Sequence, residues 1–234
     1  MRTAHALILA LGAVVAAAVF GMYFHDARSP QHDIAVTGYA TMSFEADIVK
    51  WRVTLQRSTG LTDLVDGYRK IQGDVELFKR LLIDQGLAEE DISVQPINTY
   101  QNYGREGQVT GNTIQQALFV ISSNIDAIET LALDPSKLIE SGVTVQSSQL
   151  EFFSSKLADI KQQLLAEATR DAQKRAQEIV TSAGRTLGKV ISLRSGVFQI
   201  TEPYSTEVSG YGMYNTQTRQ KDITVTVRAS FLID

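Results

Sequence analysis

The acidic residues are the natural place to look for chemistry in this chain, because it is short of thiol and imidazole side chains. There is no cysteine in the 234 residues, and the three histidines are His5, His25 and His32. From Asp33 onward no thiolate nucleophile, imidazole base, Ser-His-Asp triad or His-rich metal site can be assembled. Two carboxylates can still do acid–base work, as in glycoside hydrolysis, one as the acid and one as base or nucleophile. Glu45 with Asp47, Asp63 with Asp66, and Asp222 supply such pairs. Acids this close on exposed helix or strand positions are usually solubilising charge. Glu89, Glu90 and Asp91 in succession could attract a divalent cation, but hard cations need converging oxygen ligands, so a solvated turn is the expectation.

Two groups of residues could bind rather than react. Trp51 lies between Lys50 and Arg52 in FEADIVKWRVTLQR, where it is either a stacking platform or a core aromatic; the alternation favours the core. Tyr204, Tyr211, Met213 and Tyr214 fall in a stretch from Gly196 to Gln220 without apolar period. That stretch is expected to be a long mobile loop, or an aromatic surface that captures a small ligand against a sheet. The sequence assigns no catalytic residue, no metal ligand and no cofactor site. A formal net charge of −4 without a basic cluster argues against nucleic-acid partners.

The elements that must position these residues are read from periodicity. Leu157, Ile160, Leu164, Ala168, Ala172, Ala176, Ile179 and Ala183 recur every three or four residues, which predicts a long helix capped at Ser154 or Ser155 and stopped at Gly184. Leu64, Tyr68, Ile71, Val75, Phe78 and Leu82 predict a second, with Thr62 as cap and Gly86 as stop. Gly67 and Gly73 lie inside it and suggest close packing on a sheet. A shorter helix starts at Ile125 and restarts at Pro135.

Strands are expected at 34–40, 44–57, 92–97, 112–124, 143–153, 187–193 and 222–233, with Thr99 to Gly111 as a hairpin tip. The order reads β-β-α-β-β-α-β-α-β-β. It predicts an α+β fold, a largely antiparallel sheet with helices on one face, and suggests duplication of a β-α-β-β unit.

Residues 6–24, ALILALGAVVAAAVFGMYF, carry no charge and would span about 28 Å as a helix, close to a bilayer core. With Arg2 ahead of them, the body is expected on the far side of a membrane. Two readings stand: an uncleaved anchor, or a signal peptide cut after Ala16-Ala17-Ala18. Residues 1–30 are therefore set apart from a body of 31–234.

Several motifs in the body form a series. Val36-Thr37-Gly38 comes first; Gly86, Asp91-Ile92 and Tyr100 follow; then Ala168, Asp171-Ala172, Lys174, Ala176, Gly184 and Leu187-Gly188-Lys189-Val190. In order and spacing, from Ile34 to Ile233, they resemble the SIMPL domain family of bacterial envelope proteins. The resemblance implies an α+β fold, export to the periplasm or cell surface, and often self-association into rings or larger assemblies. Taken with the apolar N-terminus, the expectation is an inner-membrane protein with its domain in the periplasm (or secretion there after cleavage), assembling as a homo-oligomer or with an envelope partner. It also implies, for some relatives, a link to oxidative-stress defence, and it brings no catalytic motif. Direct peroxide chemistry would want a thiolate, haem or a His-rich metal site. Met22, Met42 and Met213 are too few to be a sink, so a protective role would be indirect. The reading is a non-catalytic envelope module, with a ligand-binding module and a carboxylate hydrolase as alternatives.

Overall fold

A computed structural model describes residues 2–28 and 32–234, without the side chains of 2–10 and 25–28. Helix α1 runs Arg2–Arg28, and its side chains from 11 to 24 are exposed. Among the described residues no helix is long and apolar enough to cross a membrane. The first five residues of the expected span, 6–10, lie outside the described side chains.

From Tyr39 to Ala168 and from Ser195 to Thr226 the chain forms one compact unit; Thr169–Arg194 and Val227–Asp234 form another with the N-terminal segment through Gly38. In the larger unit, β2 (Ile48–Thr59) is central in a four-stranded antiparallel sheet, with β5 (Val145–Phe153) on one side and β4 (Val109–Ser122) then β3 (Ile92–Tyr103) on the other. The alternation in β2 places Val49, Trp51, Val53 and Leu55 in the core, each at most 1% exposed. Helices α2 (Leu64–Asp84), α3 (Ile125–Leu133) and α4 (Ser136–Glu140) cover that face through Val75, Phe78, Leu82, Ile125, Ile128 and Leu138. Trp51 is a core residue: its ring meets Phe78 edge-on at 5.3 Å, and its indole N–H donates to Ser148 Oγ at 2.9 Å. Lys50 and Arg52 point the other way, over the Phe119 ring.

The same unit holds part of a second sheet. There β1 (Asp33–Glu45) pairs with β9 (Gln220–Ile233), and β9 pairs with β7 (Gln199–Thr201), which pairs in parallel with β8 (Met213–Tyr214). Thr41 with Thr224 and Ser43 with Asp222 are side-chain hydrogen bonds across the β1–β9 pair and show it to be antiparallel. In the smaller unit, β1 and β9 continue, and β6 (Leu187–Ser195) pairs with β9. Ala172 and Ala176 of helix α5 (Leu157–Ser182) pack there on Val36, Ala229 and Phe231. Alanine at these points brings helix and sheet backbones close.

The fold is the expected α+β arrangement of antiparallel sheets and helices, and several details differ from expectation. Phe44 belongs to β1, because the chain leaves β1 only at Ala46, whose N–H bonds Arg219 O, and enters β2 after Asp47. The hairpin tip is only 104–108, since β3 and β4 run further into the polar stretch than composition suggests; Gly104 N–H to Gln108 O closes it. Thr62 does not cap α2: the cap position is Asp63, without a side-chain cap bond, and Thr62 donates to Asp63. Pro135 precedes α4 as its cap residue.

The buried row of α5 is Leu164, Ala168, Ala172, Ala176 and Val180, with Ile179 53% exposed, because the row follows strict steps of four. Gly86 and Gly184 do end their helices with positive φ, 86° and 72°. The 196–220 stretch is not one irregular loop, since β7 and β8 lie inside it. The two β-α-β-β stretches also pair differently: β4 returns to β2, whereas β9 joins β1 and β6 and not β5.

Candidate ligand pocket and the carboxylates around it

The pocket that best fits the aromatic reading is built on β7 and β8. Val197, Phe198 and Ile200 form one wall and Tyr211, Met213 and Tyr214 the other, around a cavity of about 430 Å³ with Lys161 at its rim. Backbone bonds hold the walls together: Met213 N–H donates to Phe198 O at 3.3 Å and Asn215 N–H to Ile200 O at 2.8 Å. The crossing is tight at Gly212. Its φ is 88°, and a Cβ there would lie 2.9 Å from Phe198 O, so only glycine fits.

Side chains tie the stretch down further. Gln199 grips Ser209 twice, donating from Nε2 to Ser209 O at 2.6 Å and accepting from its N–H at 3.3 Å. Asn215 Nδ2 donates to Glu202 at 2.6 Å, while Asn215 Oδ1 accepts from the Gln217 and Thr218 N–H groups. Lys221 completes the network: its Nζ donates to Asn215 O at 2.6 Å from a fully buried position. Burial lowers its pKa from 10.5 to about 8. The signal was present in the alternation, since Lys221 falls on the parity of Ile223, Val225 and Val227, the core face of β9.

Chemically the pocket is a set of ring faces with one cation near its edge. Tyr214 stacks on Phe153 at 6.1 Å between centroids, and burial raises its phenol pKa. Lys161 Nζ lies 5.3 Å from the Phe198 centroid. Tyr211 is wholly exposed, and Tyr204 lies outside the lining, 98% exposed at a φ of 64°. Such a site can stack and bind; its lining carries no carboxylate.

The carboxylates proposed for hydrolysis are placed elsewhere, and each has a partner. Glu45 and Asp47 line a second hollow of about 410 Å³ with Asp126 and Arg219. Glu45 pairs with Arg219 at 2.5 Å, and the same guanidinium reaches Asp126 at 2.7 Å and Glu129 at 3.5 Å. Asp47 bonds Ser155, whose hydroxyl and backbone N–H together hold its pKa below the ordinary value. Asp66 pairs with Lys70 at 2.8 Å and Arg69 at 3.3 Å, and its pKa is lowered, mainly by Lys70. Asp222 accepts from Ser43 at 2.6 Å. A general acid needs a raised pKa, and the shifts at Asp47 and Asp66 run the other way.

Glu89, Glu90 and Asp91 form a short 3-10 turn, with Glu89 bonded to Lys79 at 3.0 Å. Among the described residues no group of three His, Cys, Asp or Glu is placed to hold a metal ion.

Sequence reasoning missed a further polar pair. Arg57 of β2 grips Asp74 of α2 through two hydrogen bonds, 2.5 and 2.6 Å, with Asp74 buried. The hydrogen bonds to Asp74 raise the Arg57 pKa. An acid on the inner side of an amphipathic helix was the available sign.

Comparison with curated proteins finds no match. The model of the SIMPL family, described as a protein of unknown function (DUF541), matches residues 34–231. Since that match takes in nearly all of the two sheets and every helix after α1, the chain belongs to the SIMPL family.

Proposed function

We propose that this SIMPL protein is a non-catalytic cell-envelope module that acts through its surfaces, by associating with itself or with an envelope partner. The observation that carries the reading is on β6. Val190, Ile191 and Leu193 are 52%, 48% and 51% exposed, a cluster of large apolar side chains on one strand. Export is supported by the uncharged run 6–24 behind Arg2, serving as anchor or cleaved leader, with the periplasm as the destination. Any part in oxidative or envelope stress is indirect, because the body offers no thiol and no imidazole beyond His32.

The test is the native full-length protein, fractionated from membranes, sequenced at its N-terminus and sized in mild detergent by light scattering. A periplasm-facing assembly larger than one chain is the expected result. A monomer at high concentration that copurifies with no envelope protein would sink the proposal.

A second reading, small-ligand capture, is favoured by the aromatic pocket between Phe198 and Tyr214. A thermal-shift screen decides it, since a ligand of the folded state raises the melting temperature by mass action, and the rise should vanish in Tyr211→Ala.

A further inference from the structure

Backbone hydrogen bonds in the smaller unit define two open strand edges. Ile233 N–H donates to His32 O at 2.9 Å, while Asp234 N–H donates to Thr186 O at 2.9 Å and Asp234 O accepts from Thr186 N–H at 3.1 Å. The last residue of β9 and the one after it therefore bond to opposite sides, so β9 lies between β1 and β6. Among the described residues neither outer strand has another strand beyond it in this unit. Each outer edge thus offers a row of backbone donors and acceptors, the chemistry that recruits another strand.

The two edges differ in charge. β6, LGKVISLRS, carries Lys189 and Arg194 and no acid; the Asp33–Gly38 stretch of β1, DIAVTG, carries Asp33 and no base. Pairing β6 with β6 would bring four cations together, whereas pairing β6 with β1 sets opposite charges on the joint. A groove accompanies each edge. Beside β6 a cavity of about 310 Å³ is lined by Leu187, Val190, Leu193 and Phe231, with Gln173 and Gln177 of α5. Beside β1 one of about 330 Å³ is lined by Ala35, Val36 and Ile179, with Arg175 and Glu178.

We propose that β6 of one copy adds to the open edge of β1 in the next, joining the sheets of successive copies head to tail. This rests on the self-association reading above and names its contact. Both outer strands run antiparallel to β9: His32 O and Ala46 N–H meet Ile233 and Arg219 in opposite order on one side, and Thr186 and Gly196 meet Asp234 and Thr226 so on the other. β1 and β6 are thus parallel to each other. Copies related by rotation about an axis lying roughly along the strands keep strand direction, so the joint is a parallel ladder. Because the two surfaces are different, each copy keeps one free until a ring closes or a filament grows.

The absence of native cysteine makes the test clean, since every disulfide would be an introduced one. Full-length chains carrying Val190→Cys on β6 or Ala35→Cys on β1, both exposed positions, are oxidised separately, as a mixture, and as the double variant. A second set pairs Ser192→Cys with Ala35→Cys, both exposed, and so shifts the register by two residues. The proposal expects no cross-link from either single variant, a linked dimer from the mixture, and a ladder of multiples from the double variant.

Dimers from Val190→Cys alone would mean β6 to β6 pairing and overturn it, as would dimers from Ala35→Cys alone. The unmodified protein is sized alongside. A monomeric mass refutes the self-association reading and this contact with it. An oligomeric mass without mixed cross-links in either set refutes only the contact, leaving other surfaces or a different partner protein to make the assembly.

Discussion

Asp47, in the turn between β1 and β2, accepts two hydrogen bonds from Ser155, at 2.7 Å from its backbone N–H and at 2.6 Å from its hydroxyl. Ser155 stands two residues before α5, so a carboxylate remote in sequence fixes the chain where it enters the helix. The bonds favour the ionised form, and the native pKa lies below the ordinary 3.8. That stabilisation is fully present above the unfolded value and is lost as pH falls through the native one. Replacing Asp47 with Ala should cost about 1 kcal/mol at neutral pH, the usual net worth of such hydrogen bonds at a partly exposed site. Urea titrations at pH 7 and pH 3 check this, and the difference between variant and parent should shrink at the lower pH.

Arg57 and Asp74 form the pair most sensitive to removal of one partner. Asp74→Ala leaves the guanidinium half-buried without its carboxylate and should destabilise by about 3 kcal/mol. Arg57→Met with Asp74→Leu together should recover most of the loss, read from denaturant midpoints.

Gly67 and Gly73 share a helix and should respond in opposite directions to alanine. A Cβ at Gly67 would run into the Thr59 and Ile114 side chains, while one at Gly73 meets nothing within 4 Å. Gly73→Ala should stabilise by about 1 kcal/mol through helix propensity. Gly67→Ala should destabilise by about 1–3 kcal/mol, because overpacking outweighs that gain. Melting temperatures of the two variants give the comparison.

Lys221 predicts an alkaline rise in stability. Its native pKa, about 8, is below the ordinary 10.5, so between these values the unfolded chain binds more protons than the folded one. Unfolding free energy should therefore climb as pH is raised from 8 to 10.5. In Lys221→Met that slope should flatten, which denaturation across the same range would show. A slope unchanged by the substitution would place its origin elsewhere.

Sequence alone determined the elements whose cause is local. Alternation put Val49, Trp51, Val53 and Leu55 on one face, the steps of α2 placed Ile71, Val75, Phe78 and Leu82, and the glycine stops at 86 and 184 carry the positive φ they were expected to need. It also determined which chemistries the body lacks reagents for, because composition is independent of folding. Of the aromatic pocket it showed the residues at 211, 213 and 214 but not the opposite wall at 197–200, which has no period.

Only the tertiary structure decided which strands are neighbours and which charges meet. β9 lies between β1 and β6, Asp47 reaches Ser155, and Arg219 gathers Glu45, Asp126 and Glu129. A strand's alternation says which face is buried and nothing about its partner, since every edge presents the same backbone groups. Partner choice depends on contacts among side chains distant in sequence. So does the fate of a carboxylate, whose pKa and use are set by whichever donor the completed fold brings to it.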